Sequence, residues 1–331
     1  MQRQLVTLTL KRLCSLLVFG SSLITSSFAV AQDYPVRSIR MIVPFPAGGS
    51  VDVLGRAVAD KLTAALGQPV VADNRVGANG AIAHQLVAAA APDGYTIGMS
   101  GTSPLVLAPH QIKSLPYDTT KDFSFVACPG TTPFVIVVHP SLPVKSVREL
   151  VDYAKANPGK LNFGSAGTGN SAHLSAELFK RATGIDMTHV PYKGNALAMN
   201  DLIGGQIQVL FDPVQTSLPQ IAGGRVRALA VTSKSRFPGL RDVPTVAESG
   251  YPNYEFVVWY AFVAPAHVPV PIVARLNTEI NKIVRAPDMK ARFAALGADL
   301  TESTPEECGA FIRKELGQWG KLMADVGIKP E

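Results

Sequence analysis

One arrangement occurs twice in this chain, and it constrains the fold more than any other feature. A short apolar run at 39–43 ends in Pro44-Phe45-Pro46-Ala47-Gly48-Gly49-Ser50. Helical periodicity then holds over 51–66, and Gly67 is placed to stop it. Val70-Val71 open a further strand, Gly77-Ala78-Asn79-Gly80 turn into a helix over about 81–90, and Pro92-Asp93-Gly94 lead to a strand at 95–99. About 120 residues later the order returns. A strand at 161–163 meets Gly164-Ser165-Ala166-Gly167-Thr168-Gly169-Asn170-Ser171, and a helix over 172–183 stops at Gly184. A strand follows at 187–190, then a Gly194-Asn195 turn, a helix ending near Ile203 and a strand at 207–211. Alternating strands and helices of this kind predict an α/β fold with parallel sheets.

With 331 residues, about two domains are expected. Apolar strands at 134–138 and 256–263 run into His139-Pro140 and Ala264-Pro265, each followed by a helix, at 147–156 and 271–284. They are candidates for the two crossings between lobes. The expected layout is a discontinuous first lobe, 32–131 plus 258–331, and a second lobe, 132–257. Ligands of such folds bind beyond the carboxyl ends of parallel strands, in the crevice between lobes.

Residues 1–31 read as an export signal. Arg3, Lys11 and Arg12 precede an apolar stretch, and Ala29-Val30-Ala31 offers small residues for cleavage. The apolar run is short and broken by Ser and Thr, against the roughly 20 residues a membrane span needs. The formal charge is +6, from 31 basic and 25 acidic residues; without the leader it is 28 against 25, or +3. So small and scattered an excess argues against nucleic-acid binding. Cys128 and Cys308 remain after cleavage and either pair or stay as two thiols.

Both glycine loops lead from a strand into a helix, where backbone N–H groups lack partners and the helix dipole is positive. That arrangement suits a carboxylate or phosphate without a basic side chain. Neither 44–51 nor 164–174 contains Lys or Arg. Ser50, Ser165, Thr168 and Ser171 and the Asn170 amide can add donors, while glycine at 48, 49, 167 and 169 permits close approach. For one loop alone, simple helix capping by Ser50 or Ser171 is the better reading. Two loops in matched places favour a two-ended grip on an anion. Thr102 and Ser103 sit at the rim, and Asp212 follows a strand where a cleft residue would sit. It either accepts from a ligand or holds the turn before Pro213. His173 either donates to an anion or packs; Tyr192, Trp259 and Tyr260 either line the cleft or pack at the hinge.

Other chemistry finds little support. Gly167-Thr168-Gly169-Asn170-Ser171-Ala172 matches a dinucleotide fingerprint, but no acidic residue ends the following strand. The 6 histidines form no metal-binding pair, and no G-x-S-x-G elbow occurs. Neither a metal nor a cofactor is expected.

Pro44-Phe45-Pro46-Ala47-Gly48-Gly49-Ser50-Val51-Asp52 with Arg56 resembles the first signature of the tripartite tricarboxylate transporter substrate-binding proteins, the Bug family. So does Asp73-Asn74-Arg75-Val76-Gly77-Ala78-Asn79-Gly80, where the family commonly has proline at the place of Val76. Phe163-Gly164-Ser165-Ala166-Gly167 with His173-Leu174, His189-Val190-Pro191-Tyr192-Lys193-Gly194 and Asp242-Val243-Pro244-Thr245-Val246-Ala247-Glu248 extend the likeness through the mature chain. The resemblance implies a type II periplasmic binding-protein fold, two α/β lobes with a two-crossing hinge. It implies a monomeric, non-catalytic receptor that closes on a small organic anion: a di- or tricarboxylate, an aromatic carboxylate or an acidic amino acid. The partner would be a membrane permease, with docking on a sensor kinase as the alternative and an exported hydrolase or isomerase as a weaker one. By position the resemblance points to Phe45, Pro46, Ala47 and Gly48, and to Ser165, Ala166, Gly167, Thr168 and Ser171 with Asp212. The full expected ligand set adds Thr102, Ser103, Gly169 and Asn170. Ser50-Val51 and Asn170-Ser171 stand where family members vary, which would alter the ligand without altering the fold.

Overall fold

The computed structural model describes residues 34–325. The export signal read at 1–31 lies outside them. Tyr34, Pro35 and Val36 are the described residues before a compact unit that begins at Arg37.

The first copy of the repeat becomes β1 (Ile39–Val43), α1 (Ser50–Leu66), β2 (Val70–Asn74), α2 (Ala81–Ala88) and β3 (Thr96–Gly101). In α1 the buried Val51, Leu54, Val58 and Leu62 recur every three or four residues, which makes one apolar stripe. Gly67, at φ 69°, ends the helix by donating to the Thr63 carbonyl. A π-turn at Ser103–Leu107 leads to β4 (Phe123–Val138) and α3 (Val147–Ala156). The second copy becomes β5 (Asn162–Ser165), α4 (Ser171–Thr183), β6 (Thr188–Pro191), α5 (Asn195–Ile203) and β7 (Val209–Pro213). After it come α6 (Val214–Ala222), β8 (Arg227–Val231), β9 (Val257–Pro265), α7 (Val270–Arg285), α8 (Pro287–Ala295), β10 (Asp299–Leu300) and α9 (Pro305–Asp325).

The strands are ordered β2-β1-β3-β9-β4-β7-β5-β6, with β8 and β10 also paired to β4. β1 lies parallel between β2 and β3, and β5 lies parallel between β6 and β7. The antiparallel pair β4 and β9 joins these two groups. β4 pairs with β9 as far as Pro133, then with β7 and β8 from Phe134 to Val138. Thr232, just past β8, accepts from the Phe134 amide at 2.8 Å and donates to the Phe256 carbonyl at 2.6 Å, which ties the second passage to the first.

β4 begins at Phe123, whereas the sequence predicts a strand only over 134–138. Register shifts between Phe125 and Gly130 absorb Pro129 and Gly130, and Pro133 pairs in register with Val257. Gly130, at φ 144°, has room only for hydrogen, since a Cβ there would lie 2.1 Å from the Asp299 carbonyl oxygen on β10. In the second half of β4, side chains alternate between two cores. Phe134, Ile136 and Val138 join the larger one, and Val135 and Val137 meet Ala198, Leu202 and Leu210. Burial on both faces explains why this stretch reads as one apolar run. Cys128 on β4 and Cys308 on α9 are joined as a disulfide, which resolves the choice the sequence leaves open. α9 starts with a reciprocal cap, Glu307 N–H to Thr304 Oγ1 and Thr304 N–H to the Glu307 carboxylate.

Candidate functional site

The loop after β1 is braced from below. Asp52 is buried and accepts from the Gly48 amide at 3.0 Å, Arg56 Nε at 2.9 Å and Asn74 Nδ2 at 2.8 Å. Burial alone would raise its pKa, but these donors outweigh it and hold the carboxyl below the usual range. Asn74 also donates to the Phe45 carbonyl at 2.8 Å. The Arg56 guanidinium of α1 is therefore spent on the frame beneath the loop. Above the frame, the Ser50 and Val51 amides in the first turn of α1 have no acceptor among the described residues.

The loop after β5 is braced by histidines. Asn170 caps α4 by accepting from the His173 amide at 2.9 Å, and His173 Nδ1 accepts from the Gly169 amide at 2.8 Å. His173 stacks on His189, with ring centres 3.9 Å apart. His189 lies 2.6 Å from Ser165 Oγ, which in turn donates to the Gly167 carbonyl. Burial, then the neighbouring His173, pushes His189 down to about 4. His173 thus packs and braces the loop. The dinucleotide fingerprint is filled from within, since the Gly169 amide that would face a phosphate is already engaged.

The two loops meet. Ser103 Oγ lies 2.9 Å from Ser171 Oγ and accepts from the Ser171 amide at 3.2 Å. Asn79 Nδ2 donates to the Thr168 carbonyl at 2.6 Å, and Gln111 Nε2 donates to the Gly169 carbonyl. Beside these contacts lies a cavity of about 420 Å³. Phe45, Pro46 and Gly48 line it from the first loop, with Thr102 and Ser103 from the π-turn, Ala166, Asn170 and Ser171 from the second loop, and Asp212.

Five expected residues lie outside its wall. Ala47 is exposed on the outer side of its loop. Ser165 is fully buried and used inside its own loop. Gly167 faces Asn79, and the Thr168 and Gly169 carbonyls accept from Asn79 and Gln111. Each loop thus turns only part of its length to the cavity, Phe45, Pro46 and Gly48–Val51 in the first and Ala166 with Asn170–Ala172 in the second.

A second wall went unread. Asn195 from α5 and Gln215, Thr216 and Gln220 from α6 line the cavity beside Asp212. The signal was available in part, for Thr216 and Ser217 stand four and five residues after Asp212 and return to it. Asp212 is fully buried and accepts from Asn195 Nδ2 at 2.8 Å, Thr216 Oγ1 at 2.5 Å and Ser217 Oγ at 2.7 Å. Burial nevertheless pushes it up to about 6. Trp259 and Tyr260 also reach the cavity wall, whereas Tyr192 donates to Asp201 away from it.

The N-termini of α1, α4, α5 and α6 all border this cavity, and those of α1, α5 and α6 carry no side-chain cap. Among the described residues, no Lys, Arg or His lines it, and Asp212 is its one charged side chain. Unpaired amides and converging dipoles supply positive potential without any cationic group.

Residues 54–328 match the model of the tripartite tricarboxylate transporter family receptor. The chain belongs to that family. It is 38% identical over 318 residues to Protein BugT of Bordetella pertussis, covering 95% of this chain and 98% of that one. Among solved structures it is similar to R. palustris Rpa4515 with adipate, at 35% identity and TM-score 0.88, covering 90% of this chain and 100% of the other. MatC from Rhodopseudomonas palustris with bound malate is similar at 30% identity and TM-score 0.82, covering 87% and 99%. As a member of this receptor family, the protein has the two-lobe periplasmic binding fold and is a solute-binding receptor, not an enzyme.

Proposed function

We propose that the protein captures a small organic carboxylate in this cavity, in the periplasm, and delivers it to a tripartite tricarboxylate-type permease. The observation that carries the reading is the meeting of four helix N-termini, three of them without a side-chain cap, on a cavity that, among the described residues, no Lys, Arg or His lines. The adipate and malate held by its structural relatives are of the same chemical class. The Cys128–Cys308 disulfide suits an oxidising compartment and the export signal read at 1–31.

In this reading the receptor works as a monomer with lobes at 32–131 plus 258–331 and 132–257. The ligand's carboxylate meets the Ser50, Val51 and Ala172 amides and the Thr102, Ser103 and Ser171 hydroxyls. Of the other expected residues that line the cavity, Phe45, Pro46, Gly48, Ala166 and Asn170 supply shape and backbone, and Asp212 stands in the second wall. Closure removes water, which strengthens these hydrogen bonds. Calorimetry on ligand-stripped protein with di- and tricarboxylates, aromatic carboxylates and acidic amino acids tests the reading; uniform silence would oppose it. Ligand-dependent capture of the permease's membrane subunits tests delivery.

A further inference from the structure

We infer that the cavity wall formed by β7, α5 and α6 is an acceptor subsite. It selects carboxylates whose remote end carries an O–H or N–H group over those with a second carboxylate. The inference rests on the carboxylate reading above and adds the kind of solute.

Three buried side-chain atoms have no hydrogen-bond partner among the described residues: Asn195 Oδ1, Gln215 Nε2 and Gln220 Oε1. All three belong to residues that line this one cavity, and Gln215 is only 5% exposed. Buried polar atoms are almost always paired, so three orphans on one wall mark a place where a ligand completes the bonding. The orientation of Asn195 is fixed by chemistry. Its neighbour Asp212 can only accept when ionised, so the Asn195 NH₂ must face it, at 2.8 Å, and the carbonyl oxygen must face away. Asp212 is held on its other oxygen by Thr216 and Ser217, and no charged group is paired with it. Its charge polarises the Asn195 amide and makes Oδ1 a stronger acceptor for a donor from the ligand.

The uncapped ends of α5 and α6 lend this wall positive potential, but Asp212 already lies within it, so a second carboxylate would meet an acceptor and a buried anion, with no cation to offset its desolvation. A hydroxyl or amide offers the donor that Asn195 Oδ1 lacks and an acceptor for Gln215 Nε2. Met199, Pro219, Val258 and Leu296 line the same cavity with apolar surface, which suits a hydrocarbon or aryl body between the two polar ends.

The test is calorimetry above neutral pH on ligand-stripped protein with two matched sets: hexanoate, ω-hydroxyhexanoate and adipate; benzoate, para-hydroxybenzoate and terephthalate. On whichever scaffold binds, the hydroxy acid is expected to bind at least about 10-fold tighter than both the parent acid and the diacid. Asn195→Leu is expected to narrow that preference to less than about 3-fold. Should the variant fail to fold, the wild-type ranking decides alone. A diacid or parent acid that binds as tightly as the hydroxy acid overturns the subsite and leaves the carboxylate reading standing. A preference that survives Asn195→Leu also overturns it. Silence of all six compounds overturns the subsite, and the carboxylate reading falls with it only if the wider carboxylate screen is silent as well.

Discussion

Replacing Asp212 by asparagine should change how stability responds to pH. The wild-type carboxyl is fully buried, with three neutral donors and no cation, and its pKa rises from an ordinary 3.8 to about 6. The fold therefore favours the protonated form. Its destabilising effect is absent below about 3.8, grows as pH rises and is complete above about 6. A displacement from 3.8 to about 6 corresponds to ~3 kcal/mol. Asp212→Asn keeps the size of the side chain and its contact with the hydroxyls, at a constant offset for the one oxygen replaced. The difference in unfolding free energy, wild type minus variant, should swing toward the wild type by ~3 kcal/mol as pH falls from above 7 to about 3. Urea unfolding at a series of pH values, followed by tryptophan fluorescence, measures it. A difference that stays flat across that range refutes the claim that this carboxyl is buried without charge compensation.

Ser171→Val removes the hydroxyl that meets Ser103 at 2.9 Å and is proposed to meet the ligand; one such bond is worth about 1 kcal/mol, so ligand affinity should fall roughly fivefold by calorimetry and stability by about 1 kcal/mol by urea unfolding. His84 is buried between the Gly80 carbonyl and Ser100 Oγ, and burial pushes it down to about 4, so its imidazole resonances should titrate near there. Its pKa is depressed, so its neutral form stabilises the fold above about 6.5, and up to ~3 kcal/mol of that is lost as pH falls toward 4. Cys128→Ser with Cys308→Ser opens a loop of 180 residues, and urea unfolding should show a loss of about 3–5 kcal/mol relative to the oxidised wild type.

The parallel halves of the fold were legible because their strands and helices carry plain signals. Ile39–Val43 and Val147–Ala156 fall where periodicity places them, and Gly67 and Gly184 stop their helices in the left-handed region. The join between the halves was harder to read. Residues 123–133 look broken by proline and glycine, yet bulges let them run on as one strand beside β9. β7 begins at Val209 rather than 207, since Ile207 is buried in the turn before it. α6 escaped notice because Gln215, Thr216 and Ser217 are polar and Pro219 lies inside it. The same polar residues build the second wall of the cavity. Local sequence could show that a glycine loop has amides to offer, as for Ser50 and Val51. It could not show that the Gly169 amide is taken by His173, a pairing made by the turn of α4.

The central claim is that backbone amides at helix ends, rather than cationic side chains, hold the solute's carboxylate. A crystal structure of the protein with its bound solute tests this most directly. The account predicts a carboxylate within hydrogen-bond distance of the Ser50, Val51 or Ala172 amides and of the Ser103 or Ser171 hydroxyl. A carboxylate held by a Lys or Arg side chain, or a neutral or cationic solute bound away from those helix ends, would contradict it.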